Sequence, residues 1–93
     1  RISLIIGERD KMFKQLAETG GIEKVFPSES NYILFKCEDP VFIKRSLYEK
    51  GIIVRDRSSQ PNLEGCLRVS IGTPEQNSIF ITALRRALCE LQK

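Results

Sequence analysis

Two arginines have surroundings that suggest chemistry. Arg55 follows three consecutive apolar residues, and Arg68 interrupts a stretch whose other members are small or apolar. A guanidinium grips a carboxylate or a phosphate through two parallel hydrogen bonds, so two arginines on one sheet indicate a ligand with two anionic groups. The alternative is that each arginine is a solvated surface residue or the partner in a local ion pair. The residue pattern leaves both interpretations open.

The absence of histidine and the positions of the cysteines exclude several kinds of catalysis. The sequence has no histidine, which removes imidazole general bases, Ser-His and Cys-His dyads and most zinc sites. Cys37, Cys66 and Cys89 are an odd number and none lies in a CxxC motif, so we expect reduced thiols packed as small apolar side chains, as in the cytoplasm. Arg68 close to Cys66 would lower the pKa of that thiol, but no base accompanies it.

Length and charge narrow the class of protein further. Ninety-three residues correspond to one domain, and the chain begins at Arg1 without a methionine, so we expect further sequence upstream. The net charge of +3 is small and the basic residues are scattered, which argues against a nucleic-acid partner. No apolar run approaches the roughly 20 residues of a membrane span, and no signal peptide is evident, so we expect a cytoplasmic protein with no membrane contact.

Three amphipathic helices are predicted. The first covers residues 2–18 and stops before Gly20 and Gly21. The second begins at Asp39, a good N-cap that precedes a proline, and ends at Gly51. The third begins at Thr73, which forms a capping box with Gln76. The residues expected on the buried stripes are Ile2, Ile5, Ile6, Met12, Phe13 and Leu16, then Phe42, Ile43, Leu47 and Tyr48, then Phe80, Ala83, Leu84, Ala87, Leu88 and Leu91.

Four strands are predicted between these helices. Residues 22–26 form a short edge strand, and residues 32–37 are apolar on both faces, so they should be central. Residues 52–54 form a short apolar strand that ends at Arg55. Residues 66–71 alternate, with Leu67, Val69 and Ile71 on one face and Cys66, Arg68 and Ser70 on the other.

This order predicts an α/β (α+β) two-layer sandwich, in which a small, mostly antiparallel sheet of three to four strands is covered on one face by three helices. The strand-helix-strand unit over residues 32–55 should cross over right-handedly. Arg68 then projects from the uncovered face, and Arg55 sits at the tip of the neighbouring strand.

Two segments of the chain resemble histidinol-phosphate aminotransferases, which are fold-type I enzymes that use pyridoxal phosphate. They are residues 51–77 and residues 23–36, and the similarity spans essentially the whole chain. The specific features are the two arginines at this separation, with Gly65-Cys66-Leu67 before the second and Gly72-Thr73 after it. The departures are conservative: Val69-Ser70-Ile71 replaces the more common Ile-Thr-Val, and Gln76 replaces a glutamate.

The resemblance implies that residues 1–93 are a single domain, the small C-terminal domain that closes over an active site built mainly by a larger domain absent from this sequence. Arg68 matches the arginine that binds the substrate α-carboxylate, and Arg55 matches an arginine that contacts the substrate phosphate. Asn31 lies next to the segment that faces the substrate cleft. The implied substrates are histidinol phosphate and the pair glutamate and 2-oxoglutarate, in histidine biosynthesis.

The resemblance also implies pyridoxal 5'-phosphate as cofactor and a homodimeric parent enzyme. The lysine that binds the cofactor belongs to the large domain in this family. None of the seven lysines here has its sequence setting, so the chain alone is expected to be inactive. Those lysines are Lys11, Lys14, Lys24, Lys36, Lys44, Lys50 and Lys93.

Two alternatives stay open. The first is the small domain of a related fold-type I enzyme, either an aromatic aminotransferase or a threonine-phosphate decarboxylase; Arg55 as a phosphate ligand argues against the aromatic enzyme. The second is a free-standing ligand- or RNA-binding module with a ferredoxin-like sheet. RNA-binding sheets of that kind stack bases on exposed aromatics. The uncovered side of strand 66–71 has none.

Overall fold

The structure is a computed structural model that describes residues 2–28 and 30–92, and the side chains of residues 2–5 also lie outside the description. The elements in chain order are α1 (Ile2–Ala17), β1 (Ile22–Phe26), β2 (Tyr32–Cys37), α2 (Pro40–Glu49), β3 (Arg55–Asp56), β4 (Cys66–Ser70) and α3 (Pro74–Leu91). No helix among the described residues combines the length and the apolar composition that crossing a bilayer requires.

The four strands form one sheet in the order β1-β2-β4-β3, and every neighbouring pair is antiparallel. Because β2 and β3 both run antiparallel to β4, they run parallel to each other with β4 between them. Helix α2 makes the crossover from β2 to β3. The predicted two-layer α+β fold is confirmed, as are the edge position of β1 and the central position of β2.

The core lies between one face of the sheet and the three helices. β2 contributes Ile33 and Phe35, which alternate with less buried residues, and β4 contributes Leu67 and Val69. The ring centroids of Phe35 and of Phe80 in α3 are 6.1 Å apart, within the range of favourable aromatic pairs. The helix residues buried against this face are Met12, Leu16, Ile43, Leu47, Phe80, Ile81, Leu84, Ala87 and Leu88.

The predicted N-caps of α2 and α3 are present. The Oδ1 atom of Asp39 accepts a hydrogen bond from the backbone N–H of Phe42 at 3.2 Å. Thr73 and Gln76 form the full capping box: the Thr73 hydroxyl accepts from the Gln76 N–H at 3.1 Å, and Gln76 Oε1 accepts from the Thr73 N–H at 3.0 Å. Each cap satisfies backbone donors that have no partner inside the helix.

The predicted strand over residues 52–54 is wrong, because these residues connect α2 to β3 without pairing as a strand, and Ile52 takes part in closing the helix. The N–H of Ile52 bonds to the carbonyl of Leu47 at 2.9 Å, and the N–H of Gly51 bonds to that of Tyr48 at 2.9 Å. With Gly51 at a φ of 81°, this is the Schellman pattern that closes a helix. Ile53 is 74% exposed, and the third strand begins only at Arg55.

Two predicted core positions differ, since Tyr48 is 69% exposed and Ile6 is 42% exposed. Four further predicted positions are partly buried and pack against the core: Phe13, Phe42, Ala83 and Leu91. Ile43 and Leu47 are one turn apart and define the buried face of α2, and the position of Tyr48 is rotated away from it. The side chains of Ile2 and Ile5 lie outside the described part of the chain.

Candidate anion-binding site

Arg55 and Arg68 are direct register partners on β3 and β4. Residues directly opposite each other in an antiparallel pair have Cα atoms about 4.5–5.5 Å apart and side chains on the same face. We call this the open face, because it is turned away from the helices. Like charges placed opposite each other destabilise a sheet. This arrangement is therefore suited to an anionic ligand that meets both guanidiniums.

Strand pairing fixes the backbone of Arg55. Residues 55 and 56 pair with Arg68 and Leu67, and the N–H of Arg57 continues the ladder to the carbonyl of Cys66 at 3.0 Å. The expectation that a rigid apolar strand places Arg55 is thus corrected. Arg55 is exposed, whereas Arg68 is half-buried.

The acidic residue next to Arg55 is engaged elsewhere. Asp56 Oδ1 accepts a hydrogen bond from the N–H of Ser58 at 2.8 Å, and this bond lowers the pKa of the Asp56 carboxyl. Asp56 is the register partner of Leu67, whose side chain is buried in the core, so it lies on the opposite side of β3 from Arg55. Its charge therefore supports the loop after β3 and does not neutralise the arginine pair.

Arg68 lies over an aromatic ring from the strand on its other side. Its guanidinium carbon is 4.9 Å from the centroid of the Tyr32 ring, within the range of a cation–π contact. Arg68 is the register partner of Leu34, so Tyr32 is its diagonal neighbour on β2. Sequence reasoning did not single out Tyr32. Its contact with Arg68 depends on the pairing register of β2 and β4, which the periodicity of the sequence does not give.

A second contact of the same kind occurs on the open face. The Nζ atom of Lys24 lies 4.8 Å from the centroid of the Phe26 ring on β1. The uncovered side of β4 has no aromatic, as expected, and the neighbouring strands β1 and β2 present two rings on the open face. Each ring is in contact with a cation, whereas a sheet that stacks bases presents free aromatic faces.

Asn31 lies beside this site and is not part of the arginine pair. It is exposed, and its carbonyl accepts a hydrogen bond from the N–H of Ile71 at 2.7 Å, which extends the β2–β4 ladder by one position. It precedes Leu34, the register partner of Arg68, by three residues, or about 10 Å along an extended strand. The structure therefore brings Arg55 and Arg68 together and leaves Asn31 outside the pair, just before β2, where strand alternation places its side chain on the side of Ile33.

The two buried thiols are not activated. Burial raises the pKa of Cys37 to about 12, with a further contribution from Glu23. Burial also raises the pKa of Cys66, which is 0% exposed, although Lys36 acts in the opposite direction. The expectation that Arg68 would lower this pKa is corrected. Cys89 is exposed on α3.

The lysines that the structure describes lack the surroundings of a cofactor lysine. A lysine that forms an imine with a carbonyl cofactor is activated by desolvation or by a neighbouring cation. Of the lysines that the structure describes, Lys36 is half-buried and the others are exposed. Lys93 lies outside the described residues. The described residues therefore do not fit pyridoxal phosphate by themselves.

A groove between α2 and β3 has an apolar and basic lining, and it adjoins the arginine pair because Arg55 is one of the residues that line it. Val41, Tyr48 and Ile53 are 59%, 69% and 74% exposed and line this groove together with Arg45 and Arg57. Large exposed apolar side chains cluster at this edge and not on the open face. Such clusters mark surfaces that another protein segment covers.

Comparison with known proteins identifies the class to which this fold and site belong. Residues 1–84 match the family described as aminotransferase class I and II, and the chain belongs to this family. It is 48% identical over 84 residues to the histidinol-phosphate aminotransferase of Flavobacterium psychrophilum, and 47% identical over 87 residues to that of Escherichia coli O81. These matches cover 90% and 91% of this chain but 24% of each relative, so the chain spans about a quarter of their length.

Solved structures of the same architecture include enzymes of two activities. The histidinol-phosphate aminotransferase of Clostridium acetobutylicum has a TM-score of 0.85 at 24% identity, over 94% of this chain and 27% of its own. The L-threonine-O-3-phosphate decarboxylase of Porphyromonas gingivalis has a TM-score of 0.80 at 25% identity, over 95% and 27%. The histidinol-phosphate aminotransferase of Sinorhizobium meliloti, solved in complex with pyridoxal-5'-phosphate, has a TM-score of 0.77 at 22% identity, over 95% and 24%.

Proposed function

We propose that these 93 residues are the small C-terminal domain of a pyridoxal-phosphate aminotransferase that exchanges an amino group between histidinol phosphate and 2-oxoglutarate. The observation that carries the proposal is the pair of facing arginines on the open face, Arg55 and Arg68. The identity of 47–48% to histidinol-phosphate aminotransferases supports the choice of substrates.

In this proposal the two arginines have different ligands. Histidinol phosphate carries a phosphate and no carboxylate, whereas glutamate and 2-oxoglutarate carry two carboxylates. Arg68 binds the α-carboxylate of glutamate and 2-oxoglutarate. Arg55 binds the phosphate in one half-reaction and the distal carboxylate in the other. Both substrates use one site in turn, as in ping-pong chemistry, so a site with two adjacent cations can serve both. Asn31 lies just before β2, outside the pair.

The chemical step lies outside this domain. The described lysines do not fit the cofactor, and about three quarters of the length of the relatives lies beyond the matched region. We assign pyridoxal phosphate to a large domain elsewhere in the polypeptide and substrate binding and closure to this one. The exposed apolar groove between α2 and β3 supports a packed neighbour. We further propose a cytoplasmic homodimer.

A second candidate is a threonine-phosphate decarboxylase. Threonine phosphate carries a phosphate and an α-carboxylate in one molecule, which would fill both arginines at once, and the Porphyromonas gingivalis enzyme has the same architecture. The phosphate-binding role of Arg55 argues against an aromatic aminotransferase. The identity to histidinol-phosphate aminotransferases favours the first candidate.

The test uses the complete polypeptide that contains this chain, purified with pyridoxal phosphate. We expect 2-oxoglutarate-dependent conversion of histidinol phosphate, with little activity on phenylalanine and no release of carbon dioxide from threonine phosphate. Release of carbon dioxide would establish the second candidate instead. Activity on phenylalanine that exceeds the activity on histidinol phosphate would contradict the phosphate-binding role of Arg55.

A further inference from the structure

The guanidinium of Arg68 has a neighbour on each of the two adjacent strands. Arg68 is on β4, with Arg55 opposite it on β3 at one side and Tyr32 diagonally across on β2 at the other. The Tyr32 ring is 4.9 Å from the Arg68 guanidinium carbon. The ring therefore attracts Arg68 toward β2, which is the direction away from Arg55. The attraction to the ring and the repulsion between the two like charges both move the Arg68 guanidinium away from Arg55.

The kind of support matters for ligand binding. A carboxylate partner would hold Arg68 in place but would use its N–H donors and neutralise its charge. An aromatic ring attracts the face of the planar guanidinium, while the five N–H groups lie in the plane and stay available. In the hydrogen bonds between described residues, the arginines whose side chains donate are Arg9 and Arg85, which are outside this site.

We propose that Tyr32 is a positioning residue for Arg68. Its ring fixes the plane of the guanidinium and keeps it apart from that of Arg55, and so sets the spacing of the two anionic groups that the site accepts. The proposal rests on the proposed function, because it takes Arg68 as the carboxylate ligand. It adds a specificity determinant, since a closer pair of guanidiniums would favour one shared anion over two separate ones.

The kinetic test uses the complete enzyme and three variants. Tyr32→Leu removes the ring and should raise KM for glutamate about threefold to tenfold, the range for losing a partly desolvated cation–π contact, with a smaller effect on KM for histidinol phosphate. Tyr32→Phe keeps the ring and should recover most of that loss. Phe26→Leu is the matched control, because it removes the other ring with a cation over it on the open face and should leave both KM values unchanged.

A structural role alone would give a different pattern. If Tyr32→Phe were as impaired as Tyr32→Leu, or if Phe26→Leu had the same effect, the ring of Tyr32 would not act through Arg68 and the proposal would be wrong. The Arg68→Gln background provides a further check, because glutamine carries no charge for the ring to attract. In that background Tyr32→Leu should add little to KM for glutamate, and an undiminished effect would overturn the proposal.

A spectroscopic measurement separates this proposal from the proposed function. The ring of Tyr32 should shift the Arg68 Hε proton resonance upfield; Tyr32→Leu should abolish the shift and Tyr32→Phe should keep it. Binding of glutarate, measured by calorimetry, should weaken in Tyr32→Leu even if the enzyme proves to have another substrate. Loss of the ring shift with unchanged glutarate affinity would overturn the positioning role and leave the aminotransferase assignment intact.

Discussion

Asn77 in α3 donates a hydrogen bond from Nδ2 to Oε1 of Glu8 in α1, at 2.9 Å, across 69 positions of the chain. The same amide group donates to the carbonyl of Gly72 at 3.1 Å and accepts from the N–H of Gly72 at 2.8 Å. Asn77 is 5% exposed, so a buried polar side chain has its partners within the fold. One amide thus joins α1, α3 and the connection that follows β4.

Asn77→Ala should lower the free energy of unfolding by about 1–3 kcal/mol, because the N–H of Gly72 loses its acceptor in a partly buried place and Glu8 loses its donor. Urea unfolding followed by circular dichroism measures the change. Ser78→Ala, at an exposed position one residue further along α3, is the matched control and should change stability by less than about 0.5 kcal/mol. Equal effects of the two substitutions would show that the Asn77 contacts contribute nothing.

The three thiols should differ in reactivity toward iodoacetamide. The thiolate is the reactive form, and a pKa near 12 leaves about one Cys37 in a thousand ionised at pH 9, where an ordinary thiol is half ionised. In this chain produced alone, Cys89 should label first because it is exposed, and Cys37 and Cys66 should label only after unfolding. Peptide mass spectrometry gives the order. Labelling of Cys66 at the rate of Cys89 in the folded chain would contradict the raised pKa of Cys66.

The chain produced alone should neither bind pyridoxal phosphate specifically nor catalyse transamination. The lysines that the structure describes are exposed or half-buried, and none lies in the buried setting in which a lysine holds a carbonyl cofactor. Titration with the cofactor should show only weak, non-saturating absorbance changes, which arise from non-specific reaction with several lysines. A stoichiometric band that a single substitution such as Lys36→Arg abolishes would place a cofactor site in this chain.

The sequence predicted the elements whose determinants are local. The Thr73 capping box, the Asp39 cap and the two-sided apolar pattern of residues 32–37 each depend on neighbours within a few positions, and all three are confirmed. The strand over residues 52–54 failed because the same apolar residues also suit the Schellman end of α2, where Ile52 bonds back to Leu47. Apolar runs of three residues carry too little pattern to distinguish a strand from a helix end.

For the candidate site, too, the local residue pattern could be predicted and the contacts between strands could not. The residue types at positions 55 and 68 suggest an anion site but leave solvated surface arginines as the alternative. The register that sets Arg55 opposite Arg68, and the diagonal that puts Tyr32 beside Arg68, depend on strand pairing. Pairing register is determined by the whole sheet, and a shift of one residue would send these side chains to the other face. That information is not contained in the spacing of the arginines along the chain.

The roles of the two arginines can be separated in the complete enzyme by single-turnover kinetics of each half-reaction. Arg55→Ala should raise KM for histidinol phosphate much more than for glutamate, with a loss of about 2–4 kcal/mol in kcat/KM, the range for removing one member of a desolvated charge pair. Arg68→Ala should impair the half-reaction of glutamate and 2-oxoglutarate by a similar amount, because the α-carboxylate loses its bidentate partner.

Lysine at either position should restore only part of the activity, since a point charge does not reproduce the planar fork. Arg86→Ala is the control, because Arg86 is an exposed arginine on α3, in the helical layer away from the open face. If both Arg55→Ala and Arg68→Ala slowed both half-reactions equally, the facing guanidiniums would bind one shared anion or serve domain closure, and separate roles would be wrong. If both behaved like Arg86→Ala, the two arginines would be solvated surface residues, and the repulsion between them would be relieved by water and salt instead of by substrate.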